Sequence, residues 1–177
     1  MTNDVKEAGT GNRAMLTALF RDRESTENAY TAMRERGYTE NEINLLMSAE
    51  TRKNYYSDKN DESDLGNKAA ETAGIGSAVG GTIGAIVGLI TVIASSVAIP
   101  GIGLIVAGPL AAGLAGASAG GIAGAIIGVG IPEDRAKTYE AGIKEGNVVL
   151  GVYPKNEEDT DYLEQNWRTN RGEHIYR

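Results

Sequence analysis

The chain has 177 residues, enough for one domain or for one domain and an appendage. Its 24 acidic and 17 basic residues give a net charge of −7 with no Lys/Arg cluster. That argues against a nucleic-acid partner, because phosphate binding needs a basic face that releases counterions. No cysteine is present, which removes disulfides, thiolate metal sites and Cys nucleophiles and leaves the redox compartment open.

Residues 1–13 are polar, carry no apolar signal segment and read as a disordered tail, so a cytoplasmic head is expected. Met15 to Phe20 alternates as a buried strand, with Met15, Thr17 and Leu19 on one face and Leu16, Ala18 and Phe20 on the other. Ser25 is expected to cap a helix carrying Ala29, Tyr30 and Met33, which Gly37 closes as a left-handed residue. Ile43 to Met47 predicts a second strand. Residues 48–65 offer almost no core-forming side chain and read as a hydrophilic linker.

From Thr72 to Pro132 there is a run of 61 residues without a single charge, so every Lys, Arg, Asp and Glu lies in the other 116. Such a partition means two solvents, or one solvent and one dry interface. Inside the run, Gly76 to Gly88 matches Gly116 to Gly128 at seven of thirteen positions, an offset of 40. Gly76, Gly80, Gly84 and Gly88 recur every fourth residue, as do Gly116, Gly120, Gly124 and Gly128. A spacing of four draws one stripe along a helix, and a stripe without side chains lets two backbones approach closely. In water these would be poor helices, since each Gly costs about 1 kcal/mol relative to Ala. The pattern therefore predicts a glycine-zipper helical hairpin over 66–131, with arms Thr72–Ala98 and Ala107–Ile131 and a turn around Pro100, Gly101 and Gly103.

Arms of 27 and 25 residues exceed the ~20 needed to cross a bilayer. The ten strongly apolar residues of the first arm favour insertion by only about 3–6 kcal/mol. Pairing of the two arms is thus part of the expectation.

Beyond the run, Pro132 begins a helix as a first-turn proline, with Ala136, Tyr139 and Ile143 on one face and Gly146 at its end. Val148 to Tyr153 is the clearest strand, β-branched and followed by Pro154. Asn156 is expected to cap a helix that buries Leu163 and Trp167, Gly172 to end it, and His174 to Tyr176 to form a last strand. Without the insert, the order is strand, helix, strand, strand, helix, strand. That is an α+β ferredoxin-like split βαβ sandwich over 14–65 and 132–177, with the first and third strands central and the hairpin inserted between the second and third.

The chain resembles the bacterial heat-induced general stress proteins of the YflT type. The matching pieces are Leu16 to Phe20 with the helix after it, Ile43 to Arg52, Ala98-Ile-Pro-Gly-Ile-Gly103, Ala107-Gly-Pro-Leu-Ala111, Gly130-Ile-Pro-Glu-Asp134 and Tyr139 to Gly146. The resemblance covers roughly 14–177. It implies a stress-associated, membrane-linked bacterial protein and carries over no catalytic or ligand residue.

Enzyme chemistry finds no support in the sequence. No Gly-x-Gly-x-x-Gly occurs, and Gly66-Asn67-Lys68 lacks Walker spacing. Asp58-x-Asn60-x-Glu62 lacks both the turn glycine and the bidentate Glu of a calcium loop. His174 is the only histidine and reads as an edge-strand surface residue. Glu133 and Asp134 suit the first turn of a helix, where negative charge complements the dipole. Tyr55-Tyr56 fits a bilayer-surface anchor or a loop on the head.

The leading expectation is a non-enzymatic protein without cofactor or metal, its head at the inner membrane and its hairpin inserting in the bilayer, self-associating, or both. Its partners would be lipid and further copies of itself. The alternative is a soluble oligomeric regulatory module of the ligand-binding kind, its hairpins forming a shared dry core.

Overall fold

Leu16–Phe20 (β1), Ile43–Ser48 (β2) and Val148–Val152 (β5) are buried along almost their whole length. A strand that must be apolar on both faces needs cover on both faces, and the computed structural model shows it. The structure describes residues 14–56, 96–99, 103–113, 121–128 and 130–177. These form a mixed α/β architecture: a six-stranded antiparallel sheet and, among the described residues, six α-helices. The remaining strands are Val97–Ile99 (β3), Leu104–Ala107 (β4) and Glu173–Tyr176 (β6), and the sheet order is β3-β4-β2-β5-β1-β6. β5 lies between β2 and β1, pairing Leu150 with both Leu45 and Ala18.

One face is covered by Arg23–Glu35 (α1) and Glu157–Thr169 (α6). Leu16, Ala18, Phe20, Ile43, Leu45, Met47, Leu150 and Val152 meet Tyr30, Met33, Leu163 and Trp167 there. Trp167 is wholly buried and stands edge-on to Phe20. The other face carries Leu19, Leu46, Leu104, Val106 and Val149. It packs under Pro109–Gly113 (α3), Gly121–Gly128 (α4) and Glu133–Lys144 (α5), through Leu110, Ile122, Ala125, Ile126, Ala136, Tyr139 and Ile143. Gly142 permits the close approach of α5 to the sheet, since a Cβ there would lie 2.6 Å from Leu19 Cδ1.

Local signals explain the ends of these elements. α1 is capped by Asp22, whose carboxylate accepts from Ser25 N–H at 2.8 Å; the expected cap Ser25 sits in the first turn instead and donates its hydroxyl to the same side chain. Asp22 wins because its carboxylate accepts from both groups, the stronger charge-assisted arrangement. Gly37 closes α1 at φ +81° as expected. Pro132 is the N-cap of α5 at ψ 149°, one residue before the first turn. Asn156 caps α6 through Asp159 N–H. After α6 the left-handed residue is Arg171 at φ 59°, not Gly172.

Three parts differ from the sequence expectations. Residues 49–56, assigned to a linker, form a helix, Ala49–Tyr56 (α2), whose Thr51 N–H is held by the Ser48 hydroxyl. The expected helical arms reached to Ala98 and began at Ala107, yet Val97–Ile99 and Leu104–Ala107 are strands that continue the sheet beyond β2. Finally, an unbroken helix from 107 to 131 is replaced by α3 and α4. Gly121 opens α4 at φ +65°, a conformation through which a right-handed helix does not run.

Candidate functional site

Of the predicted packing residues, Gly76, Gly80, Gly84, Gly88, Gly116 and Gly120 lie outside the described residues, as do Pro100 and Gly101 of the turn and the Asp58 to Glu62 segment. Gly103 enters β4 at φ +63° and accepts Ala49 N–H through its carbonyl at 2.8 Å. Gly124 and Gly128 are on α4.

α4 has two unlike sides. Ile122, Ala125 and Ile126 are buried against α5 and the sheet. Ile127 is 41% exposed, Gly128 is exposed, and among the described residues a Cβ on Gly124 or Gly128 would meet no atom within 4 Å. An apolar helix (its one row anchored, its glycine row bare) can receive another backbone at close range.

A polar clasp sets the start of this unit. Asn44, wholly buried on β2, accepts Leu110 N–H through Oδ1 at 2.8 Å, which satisfies the first turn of α3. The turn between β4 and α3 passes so close to β2 that a Cβ on Gly108 (φ +86°) would lie 2.1 Å from the Ile43 carbonyl oxygen. Both residues lie in pieces that carry the family resemblance, without a role assigned to either. A polar Asn inside the apolar run Ile43 to Met47 and the turn dipeptide Gly108-Pro109 are the local signals of the clasp.

The remaining sequence candidates fall into structural roles. Glu133 pairs with Lys137 at 2.7 Å in the first turn of α5, and that pairing holds its carboxyl below the usual range. His174 is exposed on edge strand β6, at φ 47°, beside a bulge where two residues of β6 face one of β1. Tyr55 is 39% exposed on α2, while burial pushes the Tyr56 hydroxyl far above its ordinary pKa. Tyr38 joins α1 to α6, donating to Asp159 Oδ2 and accepting Lys155 N–H, both at 2.8 Å; burial is the main cause that pushes it up to about 12.

The far end of the sheet holds a second network and two adjoining clefts. The buried Tyr139 hydroxyl lies 2.7 Å from Thr17 Oγ1 and 3.0 Å from the His174 carbonyl, tying α5 to β1 and β6. Clefts of about 340 and 280 Å³ share Ala14 and Arg177 there. A more polar cleft of about 220 Å³ lies between α2 and the C-terminal end of α5. Among the described residues no group of three or more His, Asp or Glu is arranged to hold a metal. Among them, too, no helix is long and apolar enough to cross a membrane.

Compared with protein-family models, curated proteins and solved structures, the chain matches none.

Proposed function

We propose that the chain is a non-enzymatic, stress-associated protein that self-associates through its glycine-zipper segment, carried on a ferredoxin-like head. The order β2-β5-β1-β6, with β1 and β5 inside, supports the split βαβ pattern, to which β3 and β4 add a flank. The single observation that carries the functional reading is α4. Its apolar row is committed to the head, and no described residue covers Gly124 or Gly128, which supports that side as the one offered to another helix. The occupant is a second glycine-rich helix, supplied by the first repeat or by another copy of the chain. Because residues 121–128 of the second repeat pack on the head, contact with a bilayer at the inner membrane falls to the first repeat and its neighbours.

Substituting at the stripe tests this. Gly124→Leu and Gly84→Leu are expected to weaken self-association, although each raises helix propensity and hydrophobicity. Ile126→Leu, on the anchored face of α4, conserves volume and should be tolerated. Cross-linking and light scattering of the full chain read association, and vesicle flotation reads lipid contact. Unchanged assembly with a higher melting temperature in both glycine variants would sink the zipper reading. A soluble oligomer that does not float, yet dissociates on Gly124→Leu, would keep self-association and remove the bilayer.

A further inference from the structure

We propose that Met15 is a site of oxidation by peroxide, and that its sulfoxide tightens the clasp between β2 and α3. The inference is independent of the zipper reading. It starts from Asn44, a wholly buried amide inside an apolar strand. Its Oδ1 accepts Leu110 N–H at 2.8 Å, which fixes which end of the amide is oxygen and which is nitrogen. Nδ2 therefore points the other way, and it donates to Met15 Sδ at 3.6 Å. A thioether sulfur is a weak acceptor, so this buried donor is met by a poor partner.

The sheet is built so that these two side chains meet. Asn44 on β2 and Thr17 on β1 flank Gly151 of the intervening β5 in register. Met15, two residues before Thr17, lies on the same face of the sheet. A Cβ on Gly151 would stand 3.3 Å from Met15 Sδ and 3.6 Å from Asn44 Cβ. The bare backbone at Gly151 is thus the passage by which the thioether crosses a whole strand to reach β2. It also accounts for a glycine inside an otherwise apolar, fully buried strand.

An oxidant must touch sulfur, so exposure orders the methionines. Met15 is partly exposed, whereas Met33 and Met47 are wholly buried. The step is an oxygen transfer. A sulfur lone pair attacks one oxygen of hydrogen peroxide, the O–O bond breaks and an S–O bond forms. Sulfur is oxidised, and the other oxygen leaves as water with both protons. The resulting sulfoxide is polar, and its oxygen accepts far better than the sulfur of the thioether. The unbranched Met chain can turn that oxygen toward Nδ2. Asn44 is then held firmly at both ends of its amide, and Leu110 N–H with it.

Hydrogen peroxide added to the full chain, read by peptide mass spectrometry and by hydrogen exchange, tests both parts. Met15 should gain one oxygen at doses that leave Met33 and Met47 intact. Exchange of the Leu110 amide in the oxidised protein should slow at least about threefold, the scale of one improved hydrogen bond. Met15→Gln offers Nδ2 an amide oxygen in place of sulfur and should slow Leu110 exchange without peroxide. Met15→Leu has no sulfur and should leave the Leu110 amide indifferent to peroxide. A Met15 no more reactive than Met33 and Met47 would overturn the proposal. So would Leu110 exchange that is unchanged or faster once Met15 is oxidised, or that peroxide still slows in Met15→Leu.

Discussion

Replacing Gly108 by Ala tests whether the clasp between β2 and the β4–α3 turn holds the second half of the uncharged run on the head. Two costs apply. The first is conformational: at φ +86° an L-residue costs about 1–2 kcal/mol relative to its right-handed state. The second is steric and falls on backbone atoms, which cannot rotate away. The new Cβ would lie 2.1 Å from the Ile43 oxygen and 2.9 Å from Asn44 Cα, so residues 107–109 must move off β2. That motion draws Leu110 N–H from Asn44 Oδ1 and leaves two buried polar groups unpaired, about 1–3 kcal/mol more. The expected loss is therefore about 2–5 kcal/mol, a large share of the ~5–15 kcal/mol of a typical domain. Gly103→Ala is the matched control, for it too has positive φ but no described atom within 4 Å of a new Cβ, and should show the conformational cost alone. Urea unfolding gives both energies, and hydrogen exchange at the Leu110 amide reports the clasp directly. Equal destabilisation of the two variants, or an unchanged Leu110 protection factor in Gly108→Ala, would refute the reasoning.

Asp22 links pH to helix capping. The Ser25 N–H hydrogen bond, followed by the Ser25 hydroxyl and the charge of Arg171, lowers its folded pKa. The stability it contributes is complete above the unfolded value near 4 and is lost as pH falls through the folded value. Asp22→Asn should keep the cap at pH 7 but flatten the acid limb of a stability–pH curve below about 4, whereas Asp22→Ala should lose about 1 kcal/mol at neutral pH. At the other end of the sheet, Tyr139→Phe removes a hydroxyl that serves Thr17 and the His174 carbonyl. A loss of about 1–3 kcal/mol is expected, with faster amide exchange confined to β6; unchanged stability would show that these groups find other partners.

The head was legible because its signals are local and redundant. The strands at Leu16, Ile43 and Val148 are short β-branched or apolar runs bounded by turn residues, and Gly37, Gly146 and Asn156 mark helix ends with backbone or capping geometry. Asp22 and Ser25 are both capping residue types three positions apart, and only the side chain's reach separates them. The uncharged run is less legible for a physical reason. Leu104 to Ala107 is four apolar residues, and so short a run has no periodicity to tell strand from helix. The glycine period of four then imposed one helical frame on everything from 107 to 131. Gly121 at φ +65° breaks that frame, and nothing in a row of glycines says which of them turns left-handed. The larger cleft was illegible because it is built from Met15, Ile131, Arg135 and Tyr153, which only the folded order of strands brings together.

The two rims of the sheet carry a consequence for aggregation. β3 has three residues, and β6 is interrupted by a bulge at His174 and flanked by the Arg21–Glu173 ion pair. Neither rim offers the long straight row of amides and carbonyls on which a foreign strand can be copied. A polypeptide with 61 consecutive uncharged residues would otherwise be a strong candidate for fibrous, sheet-propagating aggregation. With a three-residue strand at one rim and a bulged strand at the other, strand addition is obstructed at both rims of the described sheet.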